Sequence, residues 1–131
     1  MSDLIYYPTL AEAIATNRRF ISRHAVRDVG LLESALMRPS SSAFGHDAYP
    51  DLWSKAAAML QSVIRNHPFM DGNKRTGVAL ALAFLDRNGE EVTHANPEAL
   101  IDLAVGVANG SLDVPEITVA LRLAVWDGAG R

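Results

Sequence analysis

The chain has 131 residues, 12 of them basic and 15 acidic, with a formal net charge of −3 and no cysteine. That length supports one domain, residues 1–131, around one core. Its 49% apolar and 21% charged content belongs to folded rather than disordered chains. The missing cysteines exclude disulfides, thiolate metal sites and cysteine nucleophiles. The net acidity argues against nucleic-acid and membrane-surface binders. No segment approaches the roughly 18 apolar residues that a membrane span needs; the longest apolar stretch starts at Val78 and is broken by Asp86. Met1-Ser2-Asp3 lacks the basic-then-apolar pattern of a signal peptide. A cytoplasmic protein with no membrane or nucleic-acid partner is the expectation.

Thr9-Leu10-Ala11-Glu12 has the form of a capping box, and Leu10, Ala13, Ile14, Phe20 and Ile21 continue a roughly helical stripe behind it. A shorter helix runs from about Gly30 to Met37, ended by Pro39. Residues 39–50 are rich in Ser, Gly and Pro and read as a long loop, which in so small a domain invites a functional role. Asp51 can cap a third helix in which Leu52, Ala56, Met59, Leu60, Val63, Ile64 and His67 recur at helical spacing, stopped by Pro68. A fourth runs from Lys74 to about Asn88, closed by Gly89. Its middle, Val78 to Leu85, is apolar on every face, which makes it the expected buried axis. Asn96 with Pro97 opens a fifth helix that ends near Asn109-Gly110, and Val114-Pro115-Glu116 opens a sixth that reaches Trp126. Only Glu90 to Thr93 looks extended, and it is too short to build a sheet alone. The predicted fold is all-α, a compact bundle around a buried central helix.

The segment from His67 to Arg75 joins two buried-looking helices yet carries His67, Asp71, Asn73, Lys74 and Arg75. Burying such groups without a purpose costs a few kcal/mol each, about 2–7 on transfer scales. Gly72 permits a sharp turn, and Asn73 tolerates unusual backbone angles or caps the next helix. The first N–H groups of that helix, with Lys74 and Arg75, form a ready phosphate site. Asp71 stands where it can bring Mg²⁺ to the same phosphates. His67 faces the turn with an imidazole suited to general-base work. Base, metal carboxylate and anion nest on one turn describe transfer of a phosphate-containing group to a hydroxyl. Taken singly, each residue also has a plain structural role: a core histidine, an Asx turn, a solvated helix start.

His67-x-Phe69-x-Asp71-Gly72-Asn73-Lys74-Arg75 resembles the core motif of the Fic/Doc superfamily. Fic enzymes carry H-x-F-x-[D/E]-G-N-G-R-x-x-R. Lys74 in place of the second glycine, and Val78 in place of the last arginine, both lean toward the Doc, or death-on-curing, form. The resemblance extends through Phe84–Gly89 and Leu103–Gly106, covering roughly residues 52 to 123, and less specifically through Gly30–Leu36. It implies a helical bundle and, for Fic, AMP transfer from ATP to a protein hydroxyl. For Doc it implies a toxin kinase that phosphorylates a threonine of elongation factor Tu and arrests translation. On that resemblance His67 is the general base and Asp71 the Mg²⁺ ligand. Gly72 (through its backbone N–H), Asn73, Lys74 and Arg75 hold the phosphates of ATP, and Phe69 pins the turn in the core. The 39–50 loop takes the place of the family's flap, which presents the target as an added strand.

Fic-type self-inhibition uses [S/T]-x-x-x-E-[G/N]. The residues four places before each glutamate are Pro8, Val29, Asp86, Arg87, His94 and Leu112, none of them Ser or Thr. Restraint is therefore expected from a separate chain, a Phd-like antitoxin that folds on contact. Two rivals stand beside the kinase reading. Asp71-Gly72-Asn73 is Fic-like where many Doc toxins have Ala, which keeps adenylyl transfer open. Arg19 and His24 have the R-x4-H spacing of HEPN ribonucleases, although Arg18, Arg23 and Arg27 equally make a solvated basic face. A non-catalytic binding module fits poorly with an intact motif. Gly72 to Gly77 has only the glycine spacing of a P-loop.

Overall fold

The computed structural model describes residues 4–23 and 26–127; His24, of the ribonuclease alternative, lies outside them. Six helices run in chain order: α1 (Leu10–Arg18), α2 (Val29–Met37), α3 (Leu52–Asn66), α4 (Asn73–Arg87), α5 (Pro97–Ala108) and α6 (Val114–Asp127). Between α2 and α3 lie a 3₁₀ turn, Arg38–Ser40, and two short strands, β1 (Ser42–Ala43) and β2 (His46–Asp47). The all-α expectation holds, with one small exception in the segment read as a plain loop.

The predicted starts follow from side chains that satisfy otherwise orphaned helix N–H groups. Thr9 accepts from Glu12 N while the Glu12 carboxylate accepts from Thr9 N. Asp51 and Ser54 make the same exchange at α3, and Asn96 caps α5 ahead of Pro97. Hydrogen bonding from the Tyr6 hydroxyl, and then from the Thr9 backbone, holds the Glu12 carboxyl below its ordinary range.

The buried axis is α3, not α4. Residues Lys55 to Leu60 are all buried, whereas Val78, Ala79 and Leu82 of α4 are half-buried and Ala83 is exposed. An all-round apolar stretch predicts burial only if neighbours cover every face. Here α1, α3 and α5 cover only part of α4, and small Ala79 and Ala83 leave little apolar area on the open side. By contrast, the run Ala56-Ala57-Ala58 lets several helices approach α3 closely. At Gly77 of α4 a Cβ would stand 2.9 Å from Ile64 Cγ1 of α3.

Two local expectations also shift. Helix α1 stops at Arg18, so Phe20 is 38% exposed and Ile21 turns toward Gly72. Glu90 to Thr93, as its length implies, forms no strand; Gly89, at φ 96°, reverses the chain and Glu90 N bonds Leu85 O. The extended pairing lies instead at Ser42↔Asp47 and Ala43↔His46. No helix among the described residues is long and apolar enough to cross a membrane.

Candidate active site

Helix α3 ends on His67, which adopts the left-handed conformation at φ 51° and ψ 58°. For a residue with a Cβ this costs roughly 1–3 kcal/mol and persists only where surroundings over-determine it. Here they do. The imidazole Nδ1 lies 3.1 Å from Arg65 O; a carbonyl only accepts, so in the neutral ring Nδ1 carries the proton and Nε2 keeps its lone pair. The side chain is solvent-accessible. These are the requirements of a general base.

The chain then passes Pro68 and drops Phe69 into the core, 1% exposed. Asn73 folds its side chain back on this residue: Oδ1 accepts from Phe69 N at 3.0 Å and Nδ2 donates to Phe69 O at 2.9 Å. Gly72 precedes α4 at φ 79°, and a Cβ on it would stand 2.6 Å from Ile21 Cγ1 and 3.1 Å from Asn17 Nδ2. Both the backbone angle and the space demand glycine. Its N–H donates to Asp71 Oδ1 at 2.7 Å. Buried Asn17 donates to Asp71 O at 2.9 Å and to Thr76 Oγ1 at 3.1 Å, tying the turn to α1.

Six of the predicted residues border one cavity of about 390 Å³: His67, Asp71, Gly72, Asn73, Lys74 and Arg75, with Ile21, Ile64, Met70 and Ala108 completing the wall. Asp71, Lys74 and Arg75 are exposed, so their charged groups are available to a ligand. The opening of α4 adds N–H groups without intrahelical acceptors. Two expected contacts are already spent within the turn, because the Asn73 side chain holds Phe69 and the Gly72 N–H holds the Asp71 carboxylate. Lys74 and Arg75, with the α4 N-terminus, are left to meet an anion.

A larger cavity, about 490 Å³, lies between α4 and α5 and is lined by Phe20, Val78, Leu82, Leu100, Ile101 and others. It carries no base. It does share Lys74 and Arg75 with the first cavity, so the two adjoin. Val78 therefore lines an apolar groove rather than a phosphate site.

Arg27 is the residue that the sequence concealed. It is exposed, like Arg18 and Arg23, but its guanidinium also donates from Nε to His67 O at 2.6 Å and from Nη2 to Asn66 O at 2.8 Å. The partners are 40 and 39 residues away, beyond any local pattern.

An exposed imidazole, a carboxylate, two cations and a helix N-terminus thus meet on one turn of a helical fold, and residues 7–85 match the Fic/DOC family. The chain belongs to that family. Among curated relatives, Toxin Doc of Mycolicibacterium smegmatis is 46% identical over 97 residues, covering 73% of this chain and 75% of its own length. Protein kinase doc of Escherichia phage P1 is 36% identical over 115 residues, covering 85% of this chain and 89% of its own.

Proposed function

We propose that this protein is a toxin that transfers the γ-phosphoryl group of ATP to a Ser or Thr hydroxyl of a translation factor, elongation factor Tu or one like it. The observation that carries the reading is His67: its Nδ1 is committed to Arg65 O, and its ring borders the cavity that holds Lys74 and Arg75. Nε2 takes the proton of the target hydroxyl as its oxygen bonds to the γ-phosphorus. The bond from that phosphorus to the β–γ bridging oxygen breaks, and ADP leaves. Lys74, Arg75 and the α4 N–H groups stabilise the charge on the phosphoryl oxygens.

The described residues contain no cluster of three or more His, Cys, Asp or Glu. A metal caged by protein does not fit them, but Mg²⁺ held by Asp71 and shared with nucleotide phosphates does. When bound, that ion would offset phosphate charge.

Gly72 has been the feature favouring AMP transfer. Its packing against Ile21 and Asn17 supplies a sufficient reason for the glycine without invoking the donor's orientation. Lys74 at the cavity and Val78 in the apolar groove favour the kinase. Restraint by a Phd-like antitoxin is in keeping with the apolar groove between α4 and α5, which shares Lys74 and Arg75 with the site. Parallel reactions of elongation factor Tu with γ-³²P-ATP and α-³²P-ATP test the function. The γ label is expected on a Thr or Ser of the target; incorporation of the α label would establish adenylyl transfer instead.

A further inference from the structure

The connector between α1 and α2 meets the turn after α3 in a way that the chemistry described above does not use. Val26 and Phe69 form an antiparallel bridge. The N–H groups of Arg27 and Asp28 both donate to Pro68 O, at 2.7 and 3.1 Å. These contacts are backbone only, so they dock the connector whatever side chain stands at position 27. Immediately afterwards Asp28 caps α2 by accepting from Leu31 N.

The Arg27 side chain adds something separate. The last carbonyls of a helix lack intrahelical donors, and a cation there meets the negative end of the helix dipole. Arg27 covers two successive carbonyls, Asn66 O and His67 O, with two donors of one planar fork. A lysine has donors enough but lacks the rigid planar fork that fixes both directions at once. Fixing the carbonyl directions of residues 66 and 67 fixes the peptide planes on either side of the His67 Cα. Those planes set the left-handed conformation and with it the direction in which the ring leaves the backbone. That direction brings Nδ1 to Arg65 O and leaves Nε2 free.

We infer that Arg27 is a positioning residue for the base: its forked bond to Asn66 O and His67 O holds His67 in the conformation that keeps the proton on Nδ1 and the lone pair on Nε2. The catalytic consequence rests on the phosphotransfer reading, while the tautomer consequence does not. Arg27 is itself exposed and does not line the cavity, so its effect passes through His67, which does.

The test uses the full chain and two readouts. Long-range ¹H–¹⁵N spectra at alkaline pH, where imidazoles are neutral, report which His67 nitrogen carries the proton, with His67→Gln identifying the signal. In the wild type the proton is expected on Nδ1; in Arg27→Ala that preference is expected to be lost, and in Arg27→Lys to be only partly retained. In the kinase assay, Arg27→Ala is expected to lower kcat at least tenfold while the KM for ATP stays within twofold, with partial recovery in Arg27→Lys. An Arg27→Ala protein that keeps its helical circular dichroism and an unchanged His67 spectrum overturns the proposal, as does a kcat equal to wild type. If the wild type transfers no phosphate, the kinase reading fails alone and the spectra still decide the role of Arg27. Should Arg27→Ala lose its helical signal, Arg27→Lys carries the test, and an unperturbed His67 spectrum there overturns it.

Discussion

The turn from His67 to Arg75 and the hairpin from Ser42 to Asp47 flank the two ends of α3, and each contains one non-glycine residue with positive φ. His67 stands at 51° and Phe44 at 53°. The causes differ. Phe44 and Gly45 are the two central residues of a two-residue hairpin loop, a geometry that wants positive φ at both because it matches the twist of the flanking strands. The demand is local, and the Phe44 side chain is fully exposed. At His67 the demand comes from elsewhere in the fold: Arg27 bonds the carbonyls of Asn66 and His67, while Asn17 and Ile21, also from the first quarter of the chain, hold the Asp71-Gly72 part of the same turn. Among the described residues, the hairpin is tied down at its feet. Lys55, only 2% exposed, donates to Pro39 O and pairs with Asp47 at 3.5 Å. Arg38 reaches Tyr49, Gln61 and Ser62. Positive φ at the turn is held by contacts from distant parts of the chain, while the hairpin owes its own to a local loop geometry and keeps both strands exposed.

This contrast can be broken most forcefully at His67. Replacing it with Gly or Ala should lower phosphoryl transfer by about 10²- to 10⁴-fold, the usual worth of a general base. The two variants should part in stability, with His67→Gly about 1 kcal/mol more stable than His67→Ala in urea unfolding, because only glycine enters the left-handed region without cost. Equal stabilities would mean that the conformation is not strained.

Gly72→Ala comes next. The added Cβ meets both Ile21 and a positive φ, and overpacking together with backbone strain should cost about 2–4 kcal/mol. Ile21→Ala in the same chain should return the packing share and leave the backbone share. Denaturant midpoints of the single and double variants separate the two; a double variant no better than Gly72→Ala would assign the whole cost to the backbone.

The smallest effect belongs to the hairpin. Lys55→Met fills the same volume but abandons Pro39 O and Asp47. Relief from burying an ammonium offsets much of the lost bonding, so global stability should move by no more than about 1 kcal/mol. The Ala48 N–H, bonded to Ser41 O at 2.9 Å, should nonetheless exchange roughly tenfold faster as the hairpin opens locally. A global loss with unchanged local exchange would show that the hairpin is part of the cooperative core.

Local chemistry made most of the elements legible. Thr9 with Glu12, Asp51, and Asn96 with Pro97 are caps whose bonds close within three residues, so the starts of α1, α3 and α5 could be read directly. Patterning was a weaker guide where burial depends on neighbours, as the exchanged roles of α3 and α4 demonstrate. The hairpin escaped because strands of two residues have no periodicity to detect. Among the site residues, proximity in sequence placed His67, Asp71, Lys74 and Arg75 on one turn, and the cavity brings them together. Adjacency could not reveal that the Asn73 side chain is spent on Phe69, nor that the N–H of Gly72 is spent on Asp71.

The sequence by itself determined the family, the helical class and the cluster of reactive groups, since all three are written in runs of neighbouring residues. The positive counts at Lys74 and Arg75 were also legible there, although a net charge of −3 concealed them in the average. Tertiary structure decided which helix forms the axis, why Gly72 must lack a side chain, and what holds His67 in its left-handed conformation. Each depends on groups dozens of residues apart, such as Arg27 with His67 and Asn17 with Asp71. Such contacts leave no local pattern, because the chain between them is free to vary so long as it returns to the same place.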